Sequence, residues 1–478
     1  HRVEVIGNML DGEPNSLVLT NVSGITILNN TLTSPLILHD MRNGLFGNNT
    51  INDGELGIFF GVSDLPIDSS EYSEILISNS SNLTVSGGSP VYIRIMDSDG
   101  ITITNLYMSS TQIRIEDSSD VSIGDIRIED GASTIYISDS ENVSIVRSTI
   151  SNQDLELKVY DSRDITIRDN SAIQRINISL RVQNCDDVVL ANNVFSARVP
   201  EHEVAIRIIG SKNIVIDGNS ISSRYSYSVI SIQKTGNVSL ANNYIDGYLY
   251  VLCLANGRFL SNNFSGYTYF WFVEDLVLKN NTVRKDLKIS SGTNILVLDN
   301  IFSGRYESSL ELEGIYNTTI AKNRIHGDSP GIHISISTHV KISSNIVKSD
   351  YVGMSIWSST LVRILNNLIT AENIGIFIHK SAFITISGNT IDISSFSDEE
   401  RYCIYVEKSR NILISWNKCK HGKGLLVDME SENIIDRGYS ILADIILILI
   451  IDIGIVLFIL FILDILYRSI GRGVEGEC

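Results

Sequence analysis

The chain has 478 residues, 43% of them hydrophobic and 19% charged, with a formal net charge of −18. That length and apolar content allow a large buried core, and the acidic balance excludes nucleic acid as a partner, since phosphate backbones are held by basic surfaces. Five scattered cysteines show no metal-ligand spacing and exclude a scaffold held together by disulfides.

Residues 1–20 precede the first clear repeat and are expected to cap one end of the core, where an open coil would expose strand edges. The chain starts HRVEVIGN, with neither an initiator Met nor an apolar leader, and an export signal is taken to have been removed. A phrase then returns along the chain. Weak copies begin at Gly24, Asn43, Asn82 and Gly100, and regular ones follow from Asp120, among them DITIRDNSAI from Asp164, NIVIDGNSIS from Asn213 and FITISGNTID from Phe383. Most copies lie 18 to 24 residues apart. Taking the first residue of each copy as position zero, +1 and +3 are apolar (Ile165, Ile167), as are −7 and −5 (Ile113, Ile115) and +8 (Ile221, Phe302). A two-residue period with a β-branched excess is that of strands and excludes a helical repeat, while a propeller blade would need about forty residues.

The prediction is an all-β parallel β-helix of about eighteen coils over residues 21–425, a rod roughly 85–90 Å long at ~4.8 Å per coil. Position +6 is Asn in most copies, including Asn170, Asn193, Asn219, Asn243, Asn263, Asn281, Asn323 and Asn389. It is given a structural role, because Asn tolerates left-handed backbone and stacked amides bond to one another along a rod.

Stacking turns positions into surface columns. Position −6 reads Arg94, Arg114, Tyr136, Lys158, Arg181, Arg207, an outward basic stripe suited to an acidic partner such as a glycan or the flank of another copy. Position −3 reads Asp97, Asp117, Asp139, Asp161 beside Ser98, Ser118, Ser140 and Ser162. This is either an Asp-Ser turn motif or a row of oxygens of the kind calcium takes. No cofactor is required, and calcium is the one candidate. Further along, −6 and −4 bring together Glu311, Glu313, His333, Trp357, Phe377, His379, Tyr405 and Glu407, with Glu311, His333 and His379 as weak catalytic candidates. Sequons at Asn21, Asn29, Asn48, Asn79, Asn82, Asn142, Asn177, Asn237, Asn280 and Asn317 are expected to carry N-glycans.

The coils from Asp120 to Asn411 resemble those of the right-handed parallel β-helix repeat proteins, the group that includes pectate-lyase-like enzymes and the NosD-like family. The resemblance covers roughly residues 20–425 and implies the handedness of the coil and a place in a prokaryotic envelope, but no activity. Polygalacturonase-like relatives add His-Gly, paired aspartates and Arg-x-Lys. Here NRIHGD (Asn323–Asp328) has the His-Gly without the rest. Eight scattered His and six Met do not match the copper handling of some NosD-like relatives.

The end of the chain differs in composition. After a linker, 426–438, the segment IILILIIDIGIVLFILFIL lies within a predicted transmembrane helix, 439–467, followed by a short cytoplasmic tail, 468–478. Asp452 sits mid-span, where a charge costs about 2.5–3.5 kcal/mol, and is expected to meet a second copy of the helix. The whole reads as a cell-surface structural protein (surface-layer, stalk or filament subunit), exported, glycosylated, anchored in the bilayer by a single pass and self-associating. The alternative is a surface adhesin or a polysaccharide-degrading enzyme.

Overall fold

The computed structural model describes residues 3–437 apart from short stretches, chiefly 12–16, 152–154, 198–203, 224–227, 305–307 and 395–400. The expected membrane span 439–467 with Asp452, the tail 468–478, and the sequon asparagines Asn21, Asn48 and Asn177 lie outside the described residues. Among the described residues no helix is long and apolar enough to cross a membrane.

The chain forms a right-handed parallel β-helix of about 17 turns, close to the eighteen expected. Each turn brings the same positions back into register. Val121 lies beside Val143, then Ile165, Val188 and Ile214 in successive coils. Ile165, Val188 and Ile214 are wholly buried, as the two-residue period requires of the inward face. The +8 residues fill the opposite side of the interior from a separate fifteen-stranded sheet, with Ile221, Phe302 and Ile369 all buried. One apolar cluster runs unbroken from Ile67 to Ile414.

Two polar ladders thread this interior. In the +6 ladder, each Asn donates from Nδ2 to the Oδ1 of the next coil's Asn at 2.9–3.1 Å, from Asn170 through Asn193, Asn219 and Asn243 onward to Asn417. Asn262, not Asn263, occupies the ladder, because the copy there begins at Asn256 and not at residue 257. Nor do these asparagines use left-handed backbone. That conformation belongs to position zero (Asp164 56°, Asn213 53°, Asn237 53°), to position −3 and to position +5 just before the ladder (Asp169 58°, Asn192 53°). The +6 residue works through its amide alone. The second ladder is the −2 serine column, which is buried instead of flanking a surface. The backbone N–H groups of Ser98, Ser118 and Ser140 donate to the next coil's serine hydroxyl at 3.1–3.2 Å. Each of these hydroxyls donates in turn to the carbonyl two residues before it. Buried backbone groups at the bends are thereby satisfied without a sheet partner.

Two expectations are corrected. The coils before residue 52 form their own three-stranded sheet: Val3–Ile6 pairs with Ser23–Leu28, which pairs with Arg42–Gly47. The chain then reverses, with Thr50 and Ile51 antiparallel to Glu55 and Gly54. A second apolar cluster packs Ile25, Ile27 and Leu32 against Leu56, Phe60, Leu76 and Met96. Residues 21–425 are therefore not one continuous stack. The 426–438 segment is largely coil and not linker, since Glu432–Arg437 pairs in parallel with Arg410–Ser415 and sets Ile434 beside Ile412. Cys403 and Cys419 form a disulfide with Cα atoms 5.8 Å apart, one local staple in the last coils.

Candidate functional site

The −6 column expected from the sequence is present in register. Arg94 lies beside Arg114, then Tyr136, Lys158, Arg181 and Arg207. The same file continues through Ser231, Tyr250, Tyr269 and Lys288 to Glu311, His333, Ser355, Phe377 and Tyr405. Position −4 runs alongside it and supplies Glu116, Tyr160, Gln183, Trp271, Glu313, Trp357, His379 and Glu407.

The first part of the file is largely neutralised. Arg94 is only 5% exposed, close to the second apolar cluster, and so does not point to solvent. Its Nη2 lies 2.6 Å from Glu116, and Arg114 reaches the other oxygen of the same carboxylate at 2.7 Å. Burial tends to raise the Glu116 pKa, but the two arginines outweigh it and hold it below the ordinary value. Lys158 is paired with Glu156 at 2.8 Å. The Arg114 guanidinium stands 4.7 Å over Tyr136, whose ring is 5.7 Å from Tyr160, and Arg181 covers Tyr160 from the other side at 5.6 Å. Glu116 and Glu156 thus supply counter-charges to Arg94, Arg114 and Lys158. The −3 aspartates hold left-handed corners, Asp97 and Asp117 at φ 48°, Asp161 at 49° and Asp139 at 50°. Among the described residues no three His, Cys, Asp or Glu side chains converge on a point where a metal ion could sit.

In the second part, Lys288 Nζ lies 2.8 Å from Glu311 and 3.2 Å from Glu313. Partial burial disfavours the ammonium, yet the two carboxylates more than offset it and raise its pKa. Burial pushes the His333 pKa down, with Lys288 adding to the effect and Glu311 and Glu313 opposing it. His379 Nδ1 is 2.9 Å from Glu407 Oε2. Glu311 and His333 are neighbours across one coil step, but His379 stands two steps further on, roughly 10 Å away along the rod. The three catalytic candidates therefore do not face one reacting atom, and both glutamates are already engaged by one ammonium.

What this face does present is aromatic surface. The Trp357 ring lies 4.7 Å from His379, 6.1 Å from Phe377 and 6.2 Å from His333, and Phe377 lies 5.2 Å from Tyr405. Further back, Tyr250 and Trp271 are 6.0 Å apart, and Lys285 caps Tyr267 at 4.9 Å. Trp271 and Trp357 are 40% and 42% exposed. Sequence reasoning singled out the Trp357 end and missed Tyr269 and Trp271, which the same count from Asp275 reaches, and Tyr250, which it reaches once the copy is started at Asn256.

A shallow trench on another side of the rod is walled by the position-zero column, including Asp120, Asn142, Asp164, Asp187, Asn213 and Asn237. Three sequon asparagines stand in this wall and its continuation: Asn142 donates to Asp120, Asn237 to Asn213 at 2.9 Å and Asn317 to Asn294 at 2.7 Å.

A family model described as periplasmic copper-binding protein (NosD) matches residues 73–264 and 255–394, more than half of the chain. No curated protein matches the sequence. Among solved structures the chain is similar to the periplasmic alginate epimerase AlgG (13% identity, 67% of this chain and 77% of that one, TM-score 0.36). It is also similar to the A-module of the mannuronan C-5 epimerase AlgE4 of Azotobacter vinelandii (14% identity, 76% and 91%, TM-score 0.22). A third similar structure is PfbA, a surface adhesin of Streptococcus pneumoniae (12% identity, 65% and 84%, TM-score 0.27).

Proposed function

The chain belongs to the NosD family, and from that membership we propose an exported rod that binds an extended polysaccharide along its aromatic file. One observation carries the reading: aromatic rings recur along a single outward face at coil spacing, with Trp271 and Trp357 about two-fifths exposed. A lone exposed aromatic needs no explanation, whereas a file of them aligned with the rod offers apolar faces to a ligand that itself repeats. Sugar rings have such faces, with hydroxyls at their edges for Glu407, His379 and the Lys288 cluster. For a glycoside hydrolase, Glu311 and Glu313 do not flank a common bond, since one ammonium, that of Lys288, engages both.

The copper binding in the family's description is not part of this proposal: copper sites gather imidazole, thioether or thiolate, and among the described residues no three His, Cys, Asp or Glu side chains converge where an ion could sit. A membrane anchor at 439–467, self-association of the rods and N-glycans at the trench sequons belong to the same proposal, that of a surface rod displaying its binding face.

The test is affinity electrophoresis of the full chain through gels containing neutral or acidic polysaccharides, with Trp271→Ala and Trp357→Ala as variants. Retardation by at least one polymer, lost in the double variant, is expected. No retardation by any of them would remove the proposal.

A further inference from the structure

Arg181 and Arg207 differ from the other cations of the file. Arg94 and Arg114 share Glu116, Lys158 has Glu156, and Lys288 has two glutamates. Arg181 and Arg207 sit directly opposite each other in adjacent strands, one strand spacing apart, and neither is in an ion pair with any described acid. Arg181 Nη2 donates only to Gln183 Oε1, at 2.8 Å, and its Nε is buried with no acceptor. Like charges stacked across a strand pair repel, and a buried guanidinium N–H without an acceptor is unfavourable. In a chain of net charge −18, with acids in use as counter-charges elsewhere on this face, two arginines that no described acid neutralises make a positive site.

We propose that Arg181 and Arg207 form an anion-binding site for the carboxylates of an acidic polysaccharide lying along the file. This rests on the polysaccharide reading and adds the ligand's charge. The site has the parts that such a ligand needs. Two guanidiniums one coil apart can each take a carboxylate bidentately. Tyr160 lies beneath Arg181 at 5.6 Å and keeps it extended, while Tyr250 stands two coils past Arg207 at the same position, where the aromatic surface resumes. Gln183 and Gln233 line the adjoining −4 positions, the latter already oriented by donating to Ser231 Oγ at 2.9 Å. Since the pair is built into strands and not into loops, it sets a fixed phase for a polymer whose rings then reach the tyrosines and tryptophans further along.

The experiment compares full-length wild type, the Arg181→Gln/Arg207→Gln double variant and Arg207→Gln alone. The probes are polyuronate oligomers, the same oligomers with methyl-esterified carboxylates, and a neutral glucan, each at low and high salt. Melting curves establish folding, and Arg207→Gln serves if the double variant does not fold. The expected result is a tenfold or greater loss of polyuronate affinity in the double variant and a clear loss in the single one. Affinity for the neutral polymer should be unchanged, with a salt dependence that vanishes on esterification. Equal binding of esterified and free polyuronate, or wild-type affinity in a folded variant, would overturn the anion site while leaving the polysaccharide reading intact. Failure of every polymer to bind wild type would overturn both.

Discussion

Replacing Asn300 by Ala tests the amide ladder at its centre. The side chain is 1% exposed and takes part in four hydrogen bonds. Its Oδ1 accepts from the Asn281 backbone N–H at 2.8 Å and from Asn281 Nδ2 at 3.0 Å. Its Nδ2 donates to the Leu278 carbonyl at 2.9 Å and to Asn323 Oδ1 at 3.0 Å. Alanine removes all four and leaves the Asn281 N–H buried without an acceptor. At about 1 kcal/mol for each of the other three bonds and 1–3 for the orphaned donor, the loss should be about 4–6 kcal/mol. Because coils touch only their neighbours, the effect should also be local. Hydrogen exchange should quicken most at Asn281 and its adjoining coils, and hardly at all near Val121. Denaturant unfolding followed by mass-resolved exchange reads both quantities. A loss below about 1 kcal/mol, or protection that falls evenly along the rod, would refute the claim that the ladder holds the coils together.

The neighbouring pair Asn262 and Asn263 gives a sharper contrast. Asn262→Ala should be as damaging as the Asn300 change, whereas Asn263→Ala should be near neutral by thermal melting, since its Oδ1 is buried without a partner and its loss relieves that penalty. Burial raises the Glu74 pKa from its ordinary 4.5 to about 7. Between those values the folded chain keeps a proton that the unfolded chain has released, so stability should fall as pH rises through this window and level off above it. The total is at most about 3 kcal/mol, and Glu74→Leu should flatten a plot of melting temperature against pH. Reducing the Cys403–Cys419 bond, which spans 16 residues, should weaken the C-terminal coils by up to about 3 kcal/mol, seen as faster proteolysis after residue 390 with the earlier coils unaffected.

Much of this was legible in the sequence because a solenoid converts position into place. Counting from position zero put Arg94 to Arg207 and Glu311 to Tyr405 in single columns, and both are in register. What the count did not carry was direction and depth. Arg94 is 5% exposed and lies beside Leu76 of the second apolar cluster, and no periodicity reports that depth. The −2 serines look like surface residues, yet their hydroxyls are needed inside a bend. Two consecutive asparagines at 262 and 263 left the phase open by one residue, which decides between interior and surface. Cys403 and Cys419 are separated by less than a coil, so their meeting depends on where the chain bends, and a repeat length alone does not say that. Glu311, His333 and His379 stand in the columns counted but do not converge, and Lys288, which engages Glu311, lies a coil away in sequence.

The amide ladder also measures how tolerant the rod is of change in length. Asn243 to Asn262 spans 19 residues and Asn389 to Asn417 spans 28, yet the ladder bond is 3.0 Å in one case and 2.9 Å in the other. Extra residues are absorbed at the corners and leave no trace along the axis. Such a chain can lengthen by duplicating a coil or grow a loop at one corner, and in neither case does any existing contact have to be reinvented. The lattice of asparagines works as a ruler with uniform graduations, and evolution can write new binding chemistry between the marks without redrawing it.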